Sequence, residues 1–248
     1  MKERPIFFNT EMVKAILEGR KTQTRHIMRR QPDAVERFKN GEETTDTDAQ
    51  YAILRCHNNP KGFKRCNSGW FADAKYKTPF TEFNVGDQLW VRETWAPVNL
   101  YGEIALAYKA DSEVIRVEEN ESFLDEEGFI NYNDPRLEKY SFAAWADDLL
   151  DGKEGNWLPS VQMPRWASRI LLEITKIRVE RLNDISESDA IAEGCDNSKS
   201  EAAIQIGWYE LPLPAFKRRW EWKNGKDSWK QNPWVWVIEF SVIQGGES

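Results

Sequence analysis

An α+β fold, a mixed barrel of strands with short helices between them, is the architecture this sequence predicts. Three observations carry that expectation. Gln88–Trp95, Ile104–Lys109 and Ile170–Ile177 read as strands, as does the alternating Trp234–Phe240, because successive side chains of a strand fall on opposite faces. Short helical stripes lie between them and stop at Gly19 and Gly194, with no internal repeat, which suits a mixed fold more than a solenoid. Twelve tryptophans in 248 residues suit a β-rich body, because an indole buries much area and then needs a partner for its N–H.

Length and composition set the remaining bounds. The chain suits one elaborated domain or two small ones, and we take residues 1–248 as a single domain with insertions at about 31–83 and 111–155. Charged residues make up 30%, and no apolar run approaches the ~20 residues of a membrane span, so no membrane partner is expected. Met1-Lys2-Glu3-Arg4-Pro5 leads into a three-residue apolar patch, which does not resemble a secretory signal. Three widely spaced cysteines argue against a disulfide framework and for a reducing, cytoplasmic setting. Cys56, His57 and Cys66 lack the paired spacing and four ligands of a zinc site. Neither a metal nor a cofactor is expected.

The net charge of −7 is unevenly spread. Residues 1–30 hold eight Lys/Arg against three acids, a local +5 that leaves −12 elsewhere. Phosphate attraction is screened beyond about 8 Å at physiological salt, so a basic patch can bind anions on an acidic chain. A solvated charged face is the alternative.

The elements follow in order. Pro5–Phe8 is extended, and Asn9-Thr10 offers N-cap oxygens to a helix with the stripe Met12, Val13, Ile16 and Leu17. Gly19 fits the C′ position, so the turn Gly19-Arg20-Lys21-Thr22-Gln23-Thr24-Arg25 leaves a packed helix at a fixed point. That density of donors points to a nucleic-acid or nucleoside ligand. From Arg30 to about Phe83 the periodicity dissolves, and 40–48 is expected to be a loop or disordered insertion.

Order returns at the turn Asn84-Val85-Gly86-Asp87. In the strand that follows, Leu89, Val91 and Glu93 face one side and Trp90, Arg92 and Thr94 the other. Arg92 and Glu93, beside Trp95, form either a ligand contact or an ordinary cross-strand ion pair. Residues 111–155 are acid-rich and suggest a surface insertion docked by a short helix near Phe142–Trp145. Arg165 and Arg169 flank Trp166, a set that binds phosphate and stacks a base, or forms a structural Arg–Trp stack. Ser186 and Asp189 have capping-box spacing. They open a short helix that leaves Glu193 at its end, where the dipole disfavours a carboxylate.

Taken together, the helix into Gly19–Thr24, the turn Val85-Gly86-Asp87, the stretch Leu182–Gly194 and the strand Trp234–Phe240 resemble the ASCH domain family of the PUA-like β-barrel superfamily. Gly19 and Lys21 match its signature, while Thr24 stands at the glutamate position and His26 at the arginine position. That departure is similar to the small bacterial N4-acetylcytidine amidohydrolases. Val85–Trp95, Pro164–Ile170 and Asn232–Phe240 also resemble ASCH-like proteins of phages and prophages. The resemblance implies a PUA-like barrel with short flanking helices and large insertions. It also implies a catalytic set of Lys21, Thr24 and Glu193.

In such a set a lysine with a lowered pKa would take the proton of the threonine hydroxyl. A glutamic acid would protonate the leaving cytosine amine, and backbone amides would hold the oxyanion. Three readings stay open: an amidohydrolase of acylated pyrimidine nucleosides, an RNA- or modified-DNA-binding module, and a phage accessory protein that engages a host protein through its acidic insertion. The second would use Arg25, Arg92, Glu93, Trp95, Arg165, Trp166 and Arg169.

Overall fold

The computed structural model describes residues 2–45, 51–56, 59–66, 69–71, 83–138, 143–196, 198 and 201–244. Its regular elements begin with β1 (Glu3–Phe7), α1 (Thr10–Leu17) and β2 (Gln23–Ile27). β3 (Ala34–Lys39), β4 (Glu42–Thr44), β5 (Tyr51–Cys56), β6 (Asn59–Cys66) and β7 (Gly69–Phe71) follow. Next come β8 (Gln88–Arg92), β9 (Trp95–Leu100), β10 (Glu103–Tyr108), β11 (Val114–Arg116), α2 (Pro135–Glu138) and α3 (Ala146–Leu150). The chain ends with β12 (Leu171–Arg181), α4 (Glu187–Ala192), α5 (Glu201–Ile206), α6 (Pro212–Asn224) and β13 (Trp234–Gln244). The fold is mixed α+β and mostly sheet, and among the described residues no sheet closes into a barrel. No helix among those residues is long and apolar enough to cross a membrane.

Two compact units divide the chain. One takes Met1–Lys2, Glu18–Gln88 and Leu172–Val242; the other takes Glu3–Leu17, Leu89–Leu171 and Ile243–Ser248.

In the first unit β12, β13 and β2 lie side by side. β13 runs antiparallel to β2 with Ile238 opposite Thr24, Val237 opposite Arg25 and Glu239 opposite Gln23. Val235 and Val237 pack under Phe216 and Trp220 of α6 and Ala190 of α4. The same unit holds a sheet of order β4-β3-β5-β6-β7, and its β4 falls in the 40–48 stretch that the sequence led us to expect as a loop or disordered insertion. Asn40 and Gly41, with φ of 54° and 86°, turn β3 into β4. An Asn-Gly pair with positive φ at both positions is the favoured two-residue hairpin turn. The signal was legible, but β3 carries Glu36, Arg37 and Lys39 among its apolar residues, which hides the alternation. The rest of the 40–48 segment, from Asp46 on, lies outside the described residues, as do His57 and the Cys66 side chain; Cys56 is half-buried and Cys195 buried.

In the second unit β11, β10 and β9 form an antiparallel sheet, and β1 lies beside β8. The two faces of β9–β10 differ in bulk. Ala96, Val98, Ala105 and Ala107 present small side chains against Ala146 and Leu149 of α3. Trp95, Leu106 and Tyr108 on the other face pack with Val117, Phe123, Leu137 and Met163. Residues 111–155 are therefore not a surface insertion: they supply β11 and three of those core side chains. The docking helix is α3, starting one residue beyond the expected Trp145, and Trp145 itself is exposed.

Phe123 tests this reassignment. It packs edge-on to Trp166 at 5.0 Å with Arg136 over its ring at 4.0 Å. Phe123→Ala is expected to cost about 3–5 kcal/mol in urea unfolding. Phe129→Ala, at a residue 71% exposed in the same stretch, should change stability by less than about 0.5 kcal/mol.

Candidate functional site

The N-terminal turn is built as its spacing suggests. Asn9 caps α1 by accepting from the Met12 amide at 2.9 Å. Val13, Ala15 and Ile16 are buried, and Gly19, with φ 69°, ends the helix. Lys21 then bridges to Glu193, and the Thr22 amide donates to the Ala192 carbonyl at 2.9 Å. On the other side Ser186 and Asp189 form a full capping box for α4, leaving Glu193 at its C-cap.

Lys21 and Glu193 meet. Lys21 Nζ lies 2.9 Å from Glu193 Oε2 and also donates to the carbonyls of Glu193 at 3.1 Å and Gln23 at 2.8 Å. Three acceptors match the three protons of an ammonium. Both side chains are closed to solvent, with Lys21 1% and Glu193 3% exposed. Burial pulls the Lys21 pKa below the usual lysine value, while Glu193 pulls it back.

Arg25 joins the same cluster. Its guanidinium reaches Glu180 at 3.0 Å, Asp189 at 3.2 Å and Glu193 at 3.3 Å, over the ring of Phe216. Arg178 pairs with Glu180, Glu239 and, at 2.7 Å, Asp189. Gln23 donates to the Asp189 carbonyl and carboxylate. Burial pushes the Asp189 carboxyl up, but Gln23, Arg25 and Ser186 outweigh it and hold it well below the usual carboxylate range. The basic turn thus supplies an internal ion network. Among its members, Arg178, Glu180, Asp189 and Glu239 were not expected from the sequence. Their signal lay in parity: Arg178 and Glu180, like Gln23 and Arg25, are two apart on strands, so each pair shares a face.

Thr24 stands apart from this group. Register sets Arg25 beside Val237 and Thr24 beside Ile238, so the two side chains leave opposite faces of β2. Thr24 Oγ1 lies 3.5 Å from His26 Nε2. Burial, with Lys223 adding to it, holds the His26 pKa down to about 4, so the imidazole is neutral at neutral pH.

In the second unit Arg169 is enclosed by acids. Glu93 takes it in a fork at 2.9 and 3.0 Å, Asp111 at 2.7 and 3.0 Å, and Glu113 also pairs with it. Its guanidinium lies 4.1 Å from the centre of the Tyr108 ring. Burial opposes the charge of Arg169, but Glu93 and Asp111 outweigh it and raise its pKa. Trp95 sits in the core, and half-buried Trp166 packs edge-on to it at 6.2 Å. Glu93, Trp95, Trp166 and Arg169, expected to touch a ligand, are thus part of the unit's interior.

Arg92 and Arg165 differ from these. Arg92 lies over Trp90 at 4.6 Å and over Phe7 at 5.2 Å, and Arg165 lies over Trp90 at 6.0 Å. Arg165 also pairs with Glu3 at 2.7 Å, and Arg92 donates to the Val161 carbonyl. Phe7 remains 47% exposed. Trp90 and Phe7 were not among the expected ligand residues. The alternation of β8 already set Trp90 and Arg92 on one face.

Comparison of the chain with family models, curated proteins and solved structures finds no match in any of the three.

Two outcomes follow from this geometry. Lys21→Met and Glu193→Gln should each cost about 3–5 kcal/mol, since either leaves a buried partner uncompensated. The double variant should cost less than their sum in urea unfolding. His26 gives the second. The unfolded chain protonates it near 6.5 and the fold only near 4, so the unfolded state binds the extra proton between those values. Stability is then complete above 6.5 and falls as pH drops toward 4, by about 3 kcal/mol in all. Unfolding curves of His26→Gln against pH should lack that share of the loss.

Proposed function

We propose that this chain binds single-stranded RNA or DNA through the face of β1 and β8, as a module of the ASCH, PUA-like barrel kind, without turning its ligand over. The observation that carries the reading is the stack of Arg92 and Arg165 on Trp90, beside the exposed ring of Phe7. An indole holds a guanidinium flat and leaves its N–H edge for a phosphate. An exposed phenyl ring offers a stacking platform to a base of any kind. The ASCH resemblance favours a nucleic-acid ligand over other anions, and the Lys21–Glu193 contact agrees with the resemblance, which draws both positions into one site. The acidic stretch 113–154 is less suited to capturing a host protein, since it lends Val117, Phe123 and Leu137 to a core and Glu113 to Arg169.

A second reading, hydrolysis of an N4-acylated cytidine, is favoured by the same 2.9 Å contact between Lys21 and Glu193. Against it, Lys21 has its three protons engaged and Thr24 lies on the other strand face. A general base must reach the proton that it removes, and the base in contact with Thr24 is His26. Acetate release from N4-acetylcytidine that disappears in Thr24→Ala and His26→Gln would replace the binding reading with this one.

Fluorescence anisotropy with a labelled oligouridine tests the binding reading. Affinity should fall with salt, and Arg92→Ala and Arg165→Ala should each weaken it and lower the salt slope by about 0.7. Binding that ignores salt and both substitutions would sink it.

A further inference from the structure

α6 in the first unit pairs a buried aromatic face with an exposed, cation-rich one. Phe216 and Trp220 point inward, with Trp220 buried in the cluster under α4. Arg218 and Trp222 are four residues apart, hence on one face; exposed Lys223 follows Trp222 in the last turn, and exposed Lys226 lies just past the end of the helix at Asn224. Trp222 is 83% exposed, although an indole left in water forfeits the burial that places tryptophan inside proteins. Residues 217–226 hold Lys217, Arg218, Arg219, Lys223 and Lys226 against Glu221 alone, a local +4 on a chain of net −7. Three of these charges are engaged: Arg218 pairs with Glu210 at 2.6 Å, Arg219 donates to the carbonyls of Glu193 and Gly194, and Lys217 lies over the Trp229 ring at 5.8 Å. Before the N-terminal end of the same helix, Trp208 is also 66% exposed.

We infer that this face of α6 is a second nucleic-acid contact, separate from the Arg92–Arg165 surface. A base stacks on Trp222, and Lys223 and Lys226, which follow it at the C-terminal end of the helix, neutralise neighbouring phosphates. Charge complementarity selects the ligand. A polyanion with stackable rings matches a cationic face that offers one open indole, and every base has such a ring. A membrane surface asks for a broad apolar face opposite the basic one; the exposed apolar side chains of Ile204, Ile206, Trp208 and Leu211 precede the N-terminal end of α6, whereas Trp222 stands in its last turn among charged residues. A single strand suits better than a duplex, whose bases are already stacked within the helix. Nothing in this inference depends on Arg92, Arg165 or Phe7.

Anisotropy with labelled oligouridine and oligothymidine provides the test, using the full chain. Trp222→Ala should weaken binding about tenfold, while Trp222→Phe, which keeps a ring, should stay within about threefold of wild type. Lys223→Gln with Lys226→Gln should lower the salt slope by about 1.4. Trp222 is exposed, so thermal melts of these variants should match wild type. Arg92→Ala measured in parallel separates the two surfaces. Loss in that variant with no change in the α6 variants would overturn this inference and leave the first reading standing. Loss in the α6 variants alone would do the reverse. Binding of phosphatidylserine vesicles, or a wild-type dimer in sedimentation, that Trp222→Ala abolishes while oligonucleotide binding persists would assign the face to a membrane or to a second copy and overturn the inference.

Discussion

Buried cations govern the first unit. Lys21, Arg25 and Arg178 cannot stay charged away from water unless carboxylates and carbonyls replace their hydration. Glu180, Asp189, Glu193 and Glu239 do so, drawn from β12, α4 and β13, and Glu193 stands 172 residues from Lys21 in sequence. Each contact locks an element in place. Lys21 holds the C-terminal end of α4 against the start of β2, and Arg25 and Arg178 share Glu180 and Asp189 between strand and helix. Exchanging one charge leaves its partner buried and unmatched, so the cluster acts as a unit. Its arrangement determines which residues of the basic turn face outward, and Lys21 and Arg25 do not.

The second unit repeats the principle with one cation. Arg169 collects Glu93, Asp111 and Glu113 over the Tyr108 ring, tying the loop after β8 to the segment that leads into β11. Asp111 and Glu113 belong to an acid-rich stretch that composition marks as solvent-facing. Their role follows from the one arginine that folding brings to them. Charge density along a chain describes what is available for pairing, and burial decides what is paired.

These two clusters take Lys21 and Arg25 from the basic N-terminal stretch and Asp111 and Glu113 from the acid-rich one, and further cations lie outside them. Arg92 and Arg165 lie against Trp90, and Lys223 and Lys226 follow exposed Trp222 at the end of α6. In both places an aromatic ring is coupled to positive charge without a full complement of carboxylates. That coupling is the physical feature on which the proposed nucleic-acid binding rests.

Local chemistry was readable in the sequence. The Asn9 cap, the Gly19 stop, the Ser186–Asp189 capping box and the strands around Trp90, Ile174 and Trp236 depend on neighbours a few residues away, and their patterns are present in the chain itself. β2 escaped notice because Gln23-Thr24-Arg25-His26 has no apolar alternation; its face is satisfied by charges from distant elements. β3 through β7 escaped for a similar reason, apart from the Asn40-Gly41 turn. The meeting of Lys21 with Glu193, the turning of Thr24 toward His26, and the enclosure of Arg169 depend on strand register and on long-range pairing. Sequence alone determined where the chain turns and which residues can carry charge. Only the tertiary structure decided which of those charges neutralise one another in the interior, because that choice is made by elements far apart in the chain that meet once the strands have paired.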